Sequence, residues 1–517
     1  MFGSDPQTAS RNRLLPRWIF LRALAAIYIS AFYSLLFQIK GLIGPNGVLP
    51  AGQYLTAVDR SFHATRFWFA PSLLWFTSTD RALMALCWIG MLAALAAFAN
   101  LWPRLSFSVA WICFLSFVAA AGDFSGYQSD GMLLEAGFLA LFFAPSGFRP
   151  ELGAATPPSR ASLFLLQWEW FRIYFESGMV KLLSGDQQWR HLTAMNEYYQ
   201  NGPLPTWIGW YVQHLPEWFH KASAAATLGM ELLIVLLLFF PRRLRLICFL
   251  IVTPWEIGVI LTANYTFLNY LVLMLGFLLL DDGYLGRLLP ARFRIAPIAP
   301  VHEEHDAPRL SPLASLKLAA TAVMLTWIAY ATTAELIRMP LPQLRLPDGP
   351  VRALEPFRIA NRYGLFAVMT NGRYEIEFQG SNDGKTWTAY PFRYKPQALD
   401  GRPGIYAPYQ PRFDWNLWFA SLGDWRQNNI VPLTEERLLD SSPQVLSLFA
   451  GNPFAGARPR YVRAVLWQYW FTSMQEKRTT GNWWRRNYLG IYAPVLTRRP
   501  DGQPAVVQWP DELPEHD

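Results

Sequence analysis

Residues 168–189 read WEWFRIYFESGMVKLLSGDQQW. The first half is aromatic and apolar enough for a bilayer, yet it carries Glu169, Arg172, Glu176 and Lys181. An ionisable group at mid-membrane costs roughly 2.5–3.5 kcal/mol on insertion scales, so four unpaired ones would cost about 10 kcal/mol. On a helix Glu169, Arg172 and Glu176 fall at i, i+3 and i+7 and share one face, where Arg172 can pair with either carboxylate. Lys181 lies further round and close to a helix end, where its stem can snorkel to water. Glu135, Glu231 and Glu256 add three acids in other apolar runs. Arg172 and Lys181 cannot neutralise five carboxylates, so this set predicts a polar network beside a wet cavity. Such a network either fixes how helices pack or serves a functional site.

The composition places that stretch in a membrane protein. Of 517 residues, 52% are hydrophobic and 16% aromatic, and only 16% are charged, well below the roughly 25% of an ordinary soluble domain. Apolar runs recur at 17–39, 80–101, 105–121, 131–148, 161–182, 222–241, 244–263, 265–280 and 313–336. This predicts an α-helical polytopic bundle of nine spans, within one. The first run is longer than a signal-peptide core and no small-residue cleavage site follows it. After residue 339 the chain turns polar and rich in Arg, Pro and Gly. The expected organisation is a cytoplasmic tail at 1–16, a membrane domain at 17–338 and a soluble β-rich domain at 339–517.

Arginine placement sets the expected orientation. With the N-terminus in the cytoplasm, the inner loops hold Arg13, Arg17, Arg104, Arg149, Arg160, Arg242, Arg243, Arg245 and Arg287, whereas the outer loops hold only Lys40, Arg60, Arg66, Arg190 and Lys221. That bias follows the positive-inside rule and puts 339–517 on the periplasmic or lumenal side. It also accounts for the net charge of +8 without nucleic acid, for which no basic run or recognition motif is present. The aromatic outer loop 40–79 is expected to lie in the membrane interface. In the outer loop 183–221, Trp189, Trp207, Trp210 and Trp218 suit an interfacial belt. His302 and His305 in the inner linker 281–312 resemble a metal pair, but two neighbouring acids and no further ligands favour a solvated segment. No metal site is expected, and Cys87, Cys113 and Cys248 fall inside apolar runs.

In the polar part, YEIEF and TWTAYPF flank Ser-Asn-Asp-Gly-Lys, a hairpin signal because Asn382, Asp383 and Gly384 tolerate turn geometry. RYVRAVLWQYWF reads as a long strand, and PYQPRFDWNLWFASL as a turn followed by a short helix carrying Trp415 and Trp418. A β-sandwich or jelly-roll-like domain is expected. Exposed, Trp415 and Trp418 would form a patch for another protein; buried, they are core. No G-x-S-x-G elbow, P-loop, Rossmann fingerprint or H-E-x-x-H motif occurs.

The stretches DGMLLEAGFLALFFAP, WFRIYFESGMVKLLSGDQQWRHLTAMNEYYQNGPLPTWIGWYVQHLPEWFHK, LTANYTFLNYLVLMLGFLLLDD, GLFAVMTNGRYEIEFQGSNDGKTW and YAPYQPRFDWNLWFASL resemble the lipase maturation factor family. The resemblance implies a multi-pass membrane protein that helps secreted lipases fold and assemble, in the endoplasmic reticulum of eukaryotes, with client contact expected around Trp415, Trp418, Asn382 and Asp383 of the soluble domain. The low cysteine content and compact loops suit a bacterial member, in an inner membrane. The non-catalytic role implies no cofactor. A shorter stretch, YFESGMVKLLSGDQQW, is similar to a segment of the vitamin K-dependent γ-carboxylases. That likeness implies an alternative, an enzyme using a lipid-soluble quinone-type cofactor with Lys181 as its general base.

Overall fold

The computed structural model describes residues 12–288, 311–510 and 512–513. His302 and His305 lie outside the described residues. Each expected apolar run is helical: α1 (Leu14–Ile43), α2 (Asp80–Phe98), α3 (Pro103–Val118), α4 (Gln128–Phe143), α5 (Arg160–Leu183), α6 (Glu217–Leu232), α7 (Arg242–Thr262), α8 (Leu268–Gly276) and α9 (Pro312–Arg338). Short 3₁₀ turns at Ile234–Phe239 and Phe277–Leu279 extend α6 and α8. Five of these helical segments are long and apolar enough to cross a membrane: α1, α2, α6 with its extension, α7 and α9. The α5 helix has 24 residues, ample length for a crossing at 1.5 Å per residue, but carries the charged face.

Helix α1 is the hub. It packs against α2, and both neighbours approach closely because glycine faces the large α1 rings. A Cβ on Gly90 of α2 would strike the Phe32 ring, and one on Gly137 of α4 would strike the Tyr28 hydroxyl. Arginines close the end of the bundle where α1 begins. Arg13 donates to the carbonyls of Leu278, Leu279 and Leu280. Arg17 donates to Leu152 and Gly153 at 2.8 Å and to Thr156 at 2.6 Å. Asp281 accepts from Arg242 at 2.5 Å. Carbonyls left unsatisfied at helix C-termini thus receive cationic donors, which the helix dipole also favours.

The C-terminal part is one antiparallel sheet, not a sandwich. Its strands are β1 (Arg373–Ser381), β2 (Thr388–Ala389), β3 (Tyr461–Phe471), β4 (Trp484–Ile491), β5 (Val495–Arg498) and β6 (Pro504–Gln508). The order is β2-β1-β3-β5-β6, with β4 beside the second half of β3. Helices α10 (Arg412–Ala420) and α11 (Ile430–Leu439) pack against β1 and β3, occupying the place where a second sheet was expected. Strand alternation reports that a face is covered but not by what.

Residues on either side of position 339 share one apolar core, which includes Phe20, Tyr28, Phe114, Phe267, Ile376, Phe378, Phe413 and Leu466. Polar contacts stitch the same seam. Gln38 of α1 donates to the Gln410 carbonyl and accepts from the Arg412 amide, each at 2.8 Å. Asn264 accepts from the amides of Tyr406 and Ala407 and donates to the carbonyls of Leu204 and Gly404. Arg373, fully buried, donates to the carbonyls of Gln200, Gly202 and Pro203. That contact explains a correction to the belt expected in 183–221. Trp189 and Trp210 are 4% and 1% exposed, and only Trp218, at 70%, stands bare. The loop lies under the C-terminal sheet, where Trp210 meets Trp483 and Phe471.

Candidate functional site

The charged face of α5 is buried, and its partners come from three directions. Arg172 pairs with Glu135 of α4, stands 3.8 Å from Glu176 and donates to the Asn361 carbonyl at 2.6 Å. Glu135 in turn accepts from the Asn361 amide at 2.9 Å and its side chain at 3.2 Å. Glu176 accepts from the Tyr363 amide at 2.6 Å. Gln128 exchanges hydrogen bonds with the Gly364 backbone, and Asp186 accepts from the Met369 amide. The acids on α4 and α5 therefore seat residues 361–369 by their backbone. Glu169, on the same face as expected, lies fully buried near Arg172 but does not take its guanidinium.

Lys181 does not snorkel. Its ammonium is buried, donates to both Glu231 oxygens at 2.8 Å and to Ser177 Oγ at 2.6 Å, and lies 5.2 Å from the Trp189 ring centroid. The fifth acid, Glu256, accepts from the Tyr174 hydroxyl at 2.5 Å and Asn269 at 2.7 Å. Lys181, Glu231 and Glu256 line a cavity of about 290 Å³ whose walls are otherwise largely aromatic and aliphatic. Lys181→Met should leave Glu231 unpaired beside that cavity and lower stability by about 1–3 kcal/mol. Lys181→Met with Glu231→Leu should recover most of the loss, measured by thermal unfolding in detergent. A double variant as weak as the single one would show that the pair is not the cause.

A second cavity, of about 550 Å³, adjoins the first through Tyr198, Tyr265 and Phe366, which line both. Trp415 and Trp418 of α10 stand in its wall at 7% and 6% exposure, facing the cavity and not the open surface. Trp418 Nε1 donates to the Asn201 carbonyl at 3.1 Å, and the neighbouring Phe419 is 46% exposed. Asn382 and Asp383 do lie at the surface, in the β1–β2 turn. Asp383 accepts from the amides of Thr386 and Lys385 at 2.7 and 2.8 Å. These bonds hold its carboxyl well below the usual carboxylate range, so its first role is to shape the turn.

The largest contribution that sequence reasoning missed is Arg412. Its guanidinium makes a two-pronged pair with Asp130 at 2.7 and 2.8 Å and donates to the Phe124 carbonyl at 2.8 Å. Both side chains are fully buried. Asp130 heads the run DGMLLEAGF, and Arg412 opens the α10 motif, but nothing in their 282-residue separation announces the match. On the same helix as Arg412, burial pushes the Asp414 carboxyl up to about 6, against the pull of Lys395 and the backbone amides it accepts from.

The geometry amounts to a helical bundle whose buried acids clasp a C-terminal sheet domain, with two joined cavities at the seam. The model for the lipase maturation factor transmembrane domain matches residues 15–287, and that for the lipase maturation factor C-terminal domain matches 359–494. The held segment 361–369 lies at the start of the second match. Lipase maturation factor 2 of Gallus gallus is 31% identical, covering 93% of this chain and 81% of its own length. Lipase maturation factor 1 of Bos taurus is 30% identical over 97% and 92%, and lipase maturation factor 2 of Homo sapiens is 31% identical over 93% and 83%. No solved structure matches the chain. On this evidence the chain belongs to the lipase maturation factor family.

Proposed function

We propose that this protein is a membrane-embedded maturation factor that raises the active yield of a secreted lipase. The observation that carries the reading is that both family regions are present in one chain and lie in one core. Binding that favours a folded or assembled client over open forms raises its active fraction without chemistry. In this reading α1 to α9 make nine crossings, counting the shorter α3, α4 and α8 and the charged α5 with the five longer apolar segments. The arginine-closed end faces the cytoplasm, and the sheet domain faces the lumen of the endoplasmic reticulum or the periplasm, where secreted lipases fold. Client contact is assigned to the exposed β1–β2 turn at Asn382 and Asp383 and to the cavity walled by Trp415 and Trp418. The buried charges act in packing: Lys181 is held in an ion pair with Glu231, which does not favour it as a free base.

The test is the specific activity, per milligram of lipase, of a secreted lipase expressed with and without the full chain. Higher specific activity in its presence supports maturation, and substitutions at Asn382 and Asp383 should reduce the gain while leaving the protein folded. Unchanged activity across several dimeric and monomeric lipases would remove the proposal.

A further inference from the structure

At the end of the bundle where α1 terminates, a cavity of about 490 Å³ lies between the helix Ala51–Phe62, the end of α3 and residues 352–358. Its walls are of two chemical kinds. Phe62, Trp68 and Phe69 form one part and are 39%, 50% and 44% exposed. They continue onto Phe67 and Phe76, exposed by 54% and 88%. These rings follow α1 and precede α2 in the chain, so they sit level with the membrane boundary, where aromatic side chains concentrate.

The other part carries Arg352 and Arg358, with Glu355 between them in sequence. Arg352 is paired with Asp348. Arg358 has no hydrogen bond or ion pair to its guanidinium among the described residues. Its backbone is left-handed, at φ 54 and ψ 35, a conformation few non-glycine residues adopt. The surroundings impose it: the Asn361 side chain, which also binds Glu135, donates to the Arg358 carbonyl at 2.9 Å. The Arg358 backbone is thus held beside the buried acid network, while its guanidinium makes no direct ion pair among the described residues; the acid whose charge it feels, Asp130, is already held by Arg412.

We infer that this cavity binds the phosphate of an anionic phospholipid headgroup from the leaflet on that side. Arg358 is the main charge contact, and Phe62, Trp68 and Phe69 border the glycerol and the upper acyl chains. A guanidinium fork matches phosphate oxygens in pairs, and a basic side chain at headgroup depth is drawn to anionic lipid. Glu355 opposes the same anion, so the net charge of the lining is +1 from two arginines and one glutamate. The inference goes beyond the maturation role and does not depend on any client.

The full chain would be placed in vesicles of equal phosphatidylglycerol and phosphatidylcholine, extracted, and its retained lipids counted by native mass spectrometry. Phosphatidylglycerol should be retained in preference. Arg358→Gln should lower its retention about fivefold, the loss expected of one basic group at a lipid surface. Arg358→Lys, which keeps the charge but loses the fork, should retain an intermediate amount, and an unchanged elution volume is the control for folding. Arg81→Gln, outside the cavity but at the same end, should change nothing. Equal retention of the two lipids, or full retention by Arg358→Gln, overturns the inference. Stabilisation by inorganic phosphate equal to that by phosphatidylglycerol would also overturn it, because the site would then be one for the free anion.

Discussion

An Arg412→Met variant should lose about 3–5 kcal/mol of stability, because removing one partner of a buried ion pair strands the other. Asp130 would remain fully buried at the head of α4, with the Arg412 guanidinium gone from both of its oxygens. The Phe124 carbonyl would lose its donor as well. The double variant Asp130→Leu with Arg412→Met should recover most of that loss, since a buried pair replaced by apolar groups is often neutral. Thermal unfolding of the detergent-solubilised protein, followed by tryptophan emission, reads both. An unaltered midpoint in Arg412→Met would mean that the α10 seam does not hold the two regions together.

Arg172→Met is expected to be as severe, about 3–5 kcal/mol. It removes the cation that Glu135 and Glu176 share and the donor to the Asn361 carbonyl. Three buried carboxylates, Glu135, Glu169 and Glu176, would then be left without the cation that stands among them. Adding Glu135→Gln should restore part of the loss, because the amide can still accept from the Asn361 backbone. Yield of monodisperse protein and protease resistance at 361–369 are the measurements. Native-like resistance in Arg172→Met would show that the segment is held by something other than this network.

The helices were legible from the chain alone, since apolar runs of the right length leave few alternatives. The ends shifted by a few residues where Gly44, Pro103 and Pro312 set the caps. The charged face of α5 was also legible, but its pairing was not. Helical spacing places Glu169 and Glu176 beside Arg172, and only packing decides that Glu135 of α4 takes the guanidinium. Lys181 was misread for the same reason: snorkelling is the default near a helix end, and Glu231 lies on a helix whose rotation no local pattern reveals. For β1 and β3 the strands themselves were clear. Whether a second sheet or two helices covered them depended on contacts between segments far apart in the chain. The indoles of Trp415 and Trp418 followed from neither pattern nor period, because an aromatic helix face is equally suited to a core and to a partner.

The clasp between Arg412 and Asp130 also has a timetable. A ribosome delivering roughly 5–20 residues per second makes Arg412 some 15–60 s after Asp130, across the 282 residues between them. Arg172 follows Glu135 after only 37 residues, so that pair can form while the helices are still being inserted. Asp130 instead enters the membrane boundary long before its counter-ion exists. The newborn bundle therefore passes through a stage in which α4 and α5 are already associated while the socket for α10 stands open. Closing that socket is a late step of biogenesis, and a chain that stalls after α9 ends with an acid exposed to whatever quality control inspects the membrane.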